Sequence, residues 1–123
     1  MTAKSVLIVD DDELLCDMLA TLLEIEGYDV GVAHHGQQGL EMLAAQRFDC
    51  IILDLVMPRM DGLQFMRTLA AKGTDHPPIV VISASVTADI LEEGRDYGVA
   101  GMIKKPVQAD EVGRIVARVT GGA

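Results

Sequence analysis

Apolar positions along this chain follow two alternating rhythms. Ser5-Val6-Leu7-Ile8-Val9, Cys50-Ile51-Ile52-Leu53 and Ile79-Val80-Val81-Ile82 are short continuous apolar runs dense in β-branched residues. Such runs predict strands buried on both faces, as in a parallel sheet. Tyr28 to Ala33 predicts a weaker strand through Val30 and Val32, and Gly101-Met102-Ile103 a short fifth one. Between the strands the apolar residues change to helical spacing. Leu14 to Glu26 carries them at 15, 18, 19, 22 and 23, with Gly27 placed to close the helix. Gly36 to Gln46 presents Leu40, Leu43 and Ala44 on one face, and Leu63 to Ala71 presents Leu63, Met66 and Ala70. A short helix is expected from about Ala88 to Tyr97. The last, Ala109 to Val119, carries Val112, Ile115, Val116 and Val119.

Five strands alternating with five helices, joined by short connections and right-handed crossovers, predict a parallel sheet covered on both faces. The class is α/β, in three αβα layers. No repeat, low-complexity segment or linker interrupts the pattern, so one domain over 1–123 is expected, its core about 4–119. Gly121-Gly122-Ala123 is the segment expected to be disordered. With 50% apolar residues but only 3% aromatic, the core must be built from Val, Ile, Leu, Met and Ala, which suits α/β layers.

The net charge of −9 argues against nucleic acid, whose binding requires Lys and Arg against phosphates, and against anionic membrane surfaces. No apolar run reaches spanning length, and Val6–Val9 is a strand rather than the core of a signal peptide. Cys16 and Cys50 form no CxxC, so both are expected to be buried free thiols in a reducing cytoplasm. His34 and His35 are adjacent loop residues, expected to be solvated.

In open α/β sheets, ligands bind outside the carboxyl ends of the strands. Four of the five predicted strands end in a polar group suited to one reaction: Asp10 and Asp11, then Asp54, Ser83 and Lys105. Asp10-Asp11-Asp12-Glu13 places four acids in a row at a strand end. Helix capping by Asp12 or Asp11, with Glu13 in the first turn, accounts for one or two of them. It does not account for a series that begins on the strand itself, which a cation site does. Three carboxylates make a hard oxygen pocket for Mg²⁺. A carboxylate can act as nucleophile to give an aspartyl phosphate, and phosphoryl transfer needs a metal, a cation and a hydroxyl donor.

Together these residues resemble the receiver domain of two-component response regulators. The resemblance rests on Val-Leu-Ile-Val-Asp10-Asp11, then Leu-Asp54-Leu-Val-Met57-Pro58-Arg-Met-Asp61-Gly62, then Ile-Ser83-Ala84 and Lys105-Pro106, and runs from Lys4 to about Val119. It implies a flavodoxin-like fold with strand order 2-1-3-4-5. It implies Asp54 as phosphoacceptor, and Mg²⁺ held by Asp11, Asp54 and the Val56 backbone carbonyl, with Asp10 completing the acidic pair. Ser83 stands at the family's Thr/Ser position. Lys105, rather than Lys104, is the matching lysine because it directly precedes Pro106, through a bond that is cis in the family. Met102 departs from the pattern, standing where the family usually has Tyr or Phe.

The resemblance further implies a phosphohistidine donor, a sensor histidine kinase or phosphotransfer protein, and a surface from about Ala88 to Val119 that changes on phosphorylation. That surface, formed by the fourth helix, fifth strand and fifth helix, would act on a downstream protein or fused output domain, and allows a homodimer. Such a chain is not an enzyme beyond its own phosphorylation and dephosphorylation. Two other readings compete. One is a receiver-fold interaction module that is never phosphorylated, opposed by the full set of pocket residues. The other is a Mg²⁺-dependent phosphohydrolase, opposed by the lack of a cap insertion and by Val56 where a second catalytic Asp would stand. The initial Met suggests that the receiver begins its chain. The Gly-Gly-Ala end is compatible with a stand-alone receiver or with part of a longer regulator.

Overall fold

The continuous apolar runs form the middle of the sheet. In the computed structural model, which describes residues 3–55, 62–72, 76–84, 92 and 94–122, the elements are β1 (Ser5–Val9), α1 (Glu13–Ile25), β2 (Asp29–Ala33), α2 (Gly36–Ala45), β3 (Cys50–Asp54), α3 (Gly62–Ala71), β4 (Ile79–Ser83), β5 (Val99–Lys104) and α4 (Ala109–Thr120). The strands lie in the order β2-β1-β3-β4-β5, and every described pairing is parallel. All of β3 and β4 is buried, whereas the edge strands β2 and β5 are mostly half-buried or exposed, with only Ala33 and Ile103 fully buried. That contrast follows from coverage: interior parallel strands have helices over both faces and a neighbour on each side.

Two apolar cores result. Leu7, Val9, Ile51, Leu53 and Val81 face Leu40 of α2 and Phe65, Met66 and Leu69 of α3. Val6, Ile8, Cys50, Ile52, Val80 and Ile82 face Cys16, Leu19 and Leu23 of α1 and Val112 and Val116 of α4. Alternate residues of one strand thus feed opposite cores, as the pleat requires. Gly39 lets α2 approach the sheet, because a Cβ there would sit 3.0 Å from Val9 Cγ2 and 3.1 Å from Phe65 Cε2.

Several expectations shift. The α1 face turns toward Cys16, leaving Met18 42% exposed. In α3 the buried positions are Gly62, Phe65, Met66 and Leu69, while Ala70 is exposed. The fifth strand begins at Val99, two residues before the expected start. Of the helix expected over Ala88 to Tyr97, Glu92, Gly94 and Arg95 are helical and Asp96 to Gly98 form a turn; the rest lies outside the described residues. Among the described residues, no helix is long and apolar enough to cross a membrane.

Candidate functional site

Because the strands are parallel, their carboxyl ends share one edge of the sheet. The register then decides who meets whom. Val9 pairs with Leu53, so Asp10, one residue on, stands beside Asp54 at the end of β3. Asp54 pairs with Ile82, which brings Ser83 to the same edge, and Ser83 pairs with Lys104, which leaves Lys105 just beyond the sheet. The Ser83 carbonyl accepts from the Lys105 amide at 2.9 Å, and the Lys105–Pro106 peptide bond is cis.

Asp10, Asp54 and Ser83 are 1%, 3% and 3% exposed, and among the described residues the other buried side chains are hydrophobic ones. Asp11 is exposed. One carboxylate oxygen from each of Asp10, Asp11 and Asp54 can be chosen so that all lie within 4.8 Å of one another. The Lys105 ammonium is 3.6 Å from Asp54 Oδ2 and 3.9 Å from Asp10 Oδ2. Among the described residues three carboxylates face one ammonium, which leaves an excess of negative charge in a poorly solvated place.

Asp10 carries that strain most clearly. Its Oδ1 accepts from the Asp12 amide at 2.9 Å, but its Oδ2 is buried without a hydrogen bond. Burial pushes its carboxyl up from 3.8 to about 6; the Asp12 amide works against this, Asp54 adds repulsion, Lys105 lowers and Asp11 raises again. An orphaned carboxylate oxygen inside an all-oxygen cluster is the arrangement that a hard divalent cation relieves. The donor set therefore fits Mg²⁺. The Val56 carbonyl expected to join it lies outside the described residues, as do Met57 to Asp61.

The capping reading of the acid run accounts for its second half. Asp12 is the N-cap of α1, accepting from the Leu15 amide at 3.1 Å, and Glu13 opens the first turn. Asp10 and Asp11 are left for the pocket. Lys104 is exposed, apart from the cluster that Lys105 joins.

Three roles escaped the sequence reading. Cys16 donates its thiol to the Asp10 carbonyl at 3.2 Å, tying α1 to the strand end. Gly62 sits so close to the backbone after Asp54 that a Cβ would fall 2.7 Å from Leu55 Cα and 2.9 Å from the Asp54 carbonyl oxygen. Its amide donates to the Leu55 carbonyl at 3.0 Å. His35 is half-buried rather than solvated and caps α2, its Nδ1 accepting from the Gln38 amide at 3.2 Å. His34 is also half-buried. The first two signals depend on how a helix lands against a strand, which spacing along the chain does not reveal.

The response regulator receiver domain family matches residues 6–117, and the chain belongs to that family. Response regulator MprA of Mycobacterium ulcerans is 38% identical over 107 residues, covering 87% of this chain and 46% of that protein. MprA of Mycobacterium tuberculosis strain H37Rv is 37% identical with the same coverage. The chain thus spans about half the length of the curated relatives it matches. Among solved structures, the chemotaxis protein CheY4 of Vibrio cholerae superposes with a TM-score of 0.89 at 28% identity, over 96% of this chain and 99% of that one. The protein is a receiver domain of the two-component response regulator type, with the five-stranded 2-1-3-4-5 fold.

Proposed function

We propose that Asp54 accepts a phosphoryl group from a phosphohistidine of a sensor histidine kinase or phosphotransfer protein, and that the chain acts as a phosphorylation-dependent switch. The observation that carries this reading is the buried Asp54 carboxylate at the strand edge, flanked by Asp10 and Asp11 and faced by Lys105. An Asp54 carboxylate oxygen forms a bond to phosphorus as the phosphorus–nitrogen bond of the donor breaks. The departing imidazole nitrogen keeps the electron pair and is reprotonated.

Asp10, Asp11, Asp54 and the Val56 carbonyl would hold Mg²⁺, whose contribution is to neutralise charge on the phosphoryl oxygens. Lys105 supplies a second positive charge to the phosphoryl group as a point cation. Ser83, on the next strand, donates a hydroxyl hydrogen bond to another phosphoryl oxygen. The added charge then biases a two-state equilibrium in the layer from about Ala88 to Val119, which acts on a downstream protein, a fused output domain or a second copy. Residues 1–123 form a single domain working in the cytoplasm, and its chemistry is confined to its own acyl phosphate.

Hydroxylamine sensitivity tests the reading against its rivals. The protein is incubated with acetyl phosphate and Mg²⁺, then treated with neutral hydroxylamine, which cleaves an acyl phosphate but not a serine phosphate. A phosphoryl adduct removed by hydroxylamine supports the switch. No adduct supports the interaction module. Rapid turnover of unrelated phosphomonoesters supports a hydrolase.

A further inference from the structure

The opposite edge of the sheet carries a feature that the phosphoryl chemistry does not use. A cavity of about 660 Å³ opens between the carboxyl ends of α2 and α3, over the amino ends of β3 and β4. Small-ligand clefts run from roughly 300 to 1,000 Å³, so its size is that of a ligand site rather than of a packing flaw. Its floor is apolar, with Leu40, Phe48 and Leu69 each buried to within 6% exposure, and Pro77 and Pro78 extend the apolar lining.

The rim is different. Arg47 and Lys72 are both exposed there, and among the described residues neither has a carboxylate within ion-pair distance. Among the described residues the one acid lining the cavity, Asp49, is already engaged: its Oδ2 accepts from the Ser5 amide at 2.8 Å and the Ser5 hydroxyl at 3.3 Å. His76 also lines the cavity, its Nδ1 2.9 Å from the Pro77 carbonyl. Two cations with no carboxylate partner among the described residues, over an apolar floor, are out of keeping with a chain of net charge −9.

We propose that this cavity binds a small amphipathic carboxylate, its apolar body against Leu40, Phe48 and Leu69 and its head group between Arg47 and Lys72. The planar fork of Arg47 matches a carboxylate in two parallel hydrogen bonds, and Lys72 adds a point charge. A cationic ligand would be repelled by the Arg47 guanidinium and the Lys72 ammonium, and a neutral apolar one would leave them uncompensated. The site lies about 15 Å from Asp54, the length of the five-residue β3, and is independent of the phosphoryl chemistry.

Titration of the ¹⁵N-labelled protein with octanoate, followed by amide shifts, tests this. The result expected is saturable movement confined to Leu40–Asp49, Leu69–Lys72 and His76–Ile79, with octanol binding at least about fivefold more weakly. The double variant Arg47→Glu, Lys72→Glu alters two exposed side chains and should retain the wild-type spectrum elsewhere while weakening octanoate about tenfold or more. Absence of saturable shifts at these amides overturns the proposal, as does octanol binding as tightly as octanoate or a double variant that binds octanoate like wild type. None of these results bears on whether Asp54 is phosphorylated, so the two readings fail separately.

Discussion

The Lys105 ammonium lies 3.6 Å from Asp54 Oδ2 and 3.9 Å from Asp10 Oδ2, so a single half-exposed cation serves two buried carboxylates from neighbouring strands. Divided this way, it neutralises neither fully. It stands instead where a group added to Asp54 would arrive. Replacing it by Lys105→Met keeps the unbranched side chain to within one atom of its length and removes the charge. Labelling of the protein by acetyl phosphate should slow by at least about tenfold, a usual loss for one transition-state charge partner. Metal-free stability should change by less than about 1 kcal/mol, since the lysine is partly solvated. A wild-type labelling rate would reduce the pair to an incidental surface contact.

Asp10 contributes a defined part of the pH response of the metal-free protein. Folded, its carboxyl holds a proton up to about 6; unfolded, it releases it near 3.8. Between those values the folded chain binds more protons, so stability is greatest below the window and declines as pH rises through it. The full effect is at most about 3 kcal/mol, taking roughly two pKa units at 1.36 kcal/mol each. Asp10→Asn cannot ionise and should raise the melting temperature at pH 7 in chelator. It should also lose most of the stabilisation that Mg²⁺ gives to wild type. Thermal unfolding at pH 4 and 7, with chelator and with Mg²⁺, reads both effects. A variant less stable than wild type in chelator at pH 7 contradicts the account.

The thiols should be silent in the native state. Burial pushes both Cys16 and Cys50 up to about 12, with Asp10 and its acidic neighbours adding to the effect at Cys16 and Asp49 at Cys50. At pH 8 almost no thiolate exists to react. Iodoacetamide should leave the folded chain unmodified by mass and alkylate both cysteines in denaturant. Rapid native labelling at either site would show that the core over β1 and β3 opens locally.

Gly62→Ala should damage the site through the backbone. The added methyl would press on Leu55 Cα and the Asp54 carbonyl, neither of which is the free end of a flexible side chain. Overpacking of this kind costs about 1–3 kcal/mol. Urea unfolding should show that loss, and acetyl phosphate labelling should slow alongside it. Unchanged stability would mean that α3 shifts freely on the strand end.

The strands were the most legible part of the chain because burial on both faces leaves no polar position to break the apolar runs. Asp10, Asp54, Ser83 and Lys105 stood out for the same reason, each interrupting or following such a run. What brought them together was the parallel register, Val9 with Leu53 and Ser83 with Lys104. The helix faces were read less well. Ala70 counts as apolar but loses little by facing water, while Phe65 gains much by burial, so α3 rotates toward the ring. Cys16 displaces Met18 from the core of α1 because its thiol can also satisfy the Asp10 carbonyl. His35 read as a loop residue because imidazole is an uncommon cap. The strand order was supplied by family resemblance, since spacing alone does not tell which strands neighbour β1.

The central claim, that Asp54 is the phosphoacceptor of a metal-assisted switch, is met most directly by intact mass after incubation with acetyl phosphate and Mg²⁺, beside a chelated sample and Asp54→Asn. The account predicts one phosphoryl adduct on wild type, lost on chelation and lost in the variant. No adduct on wild type with Mg²⁺ present, or equal labelling of Asp54→Asn, would contradict it and leave a receiver fold that works by contact alone.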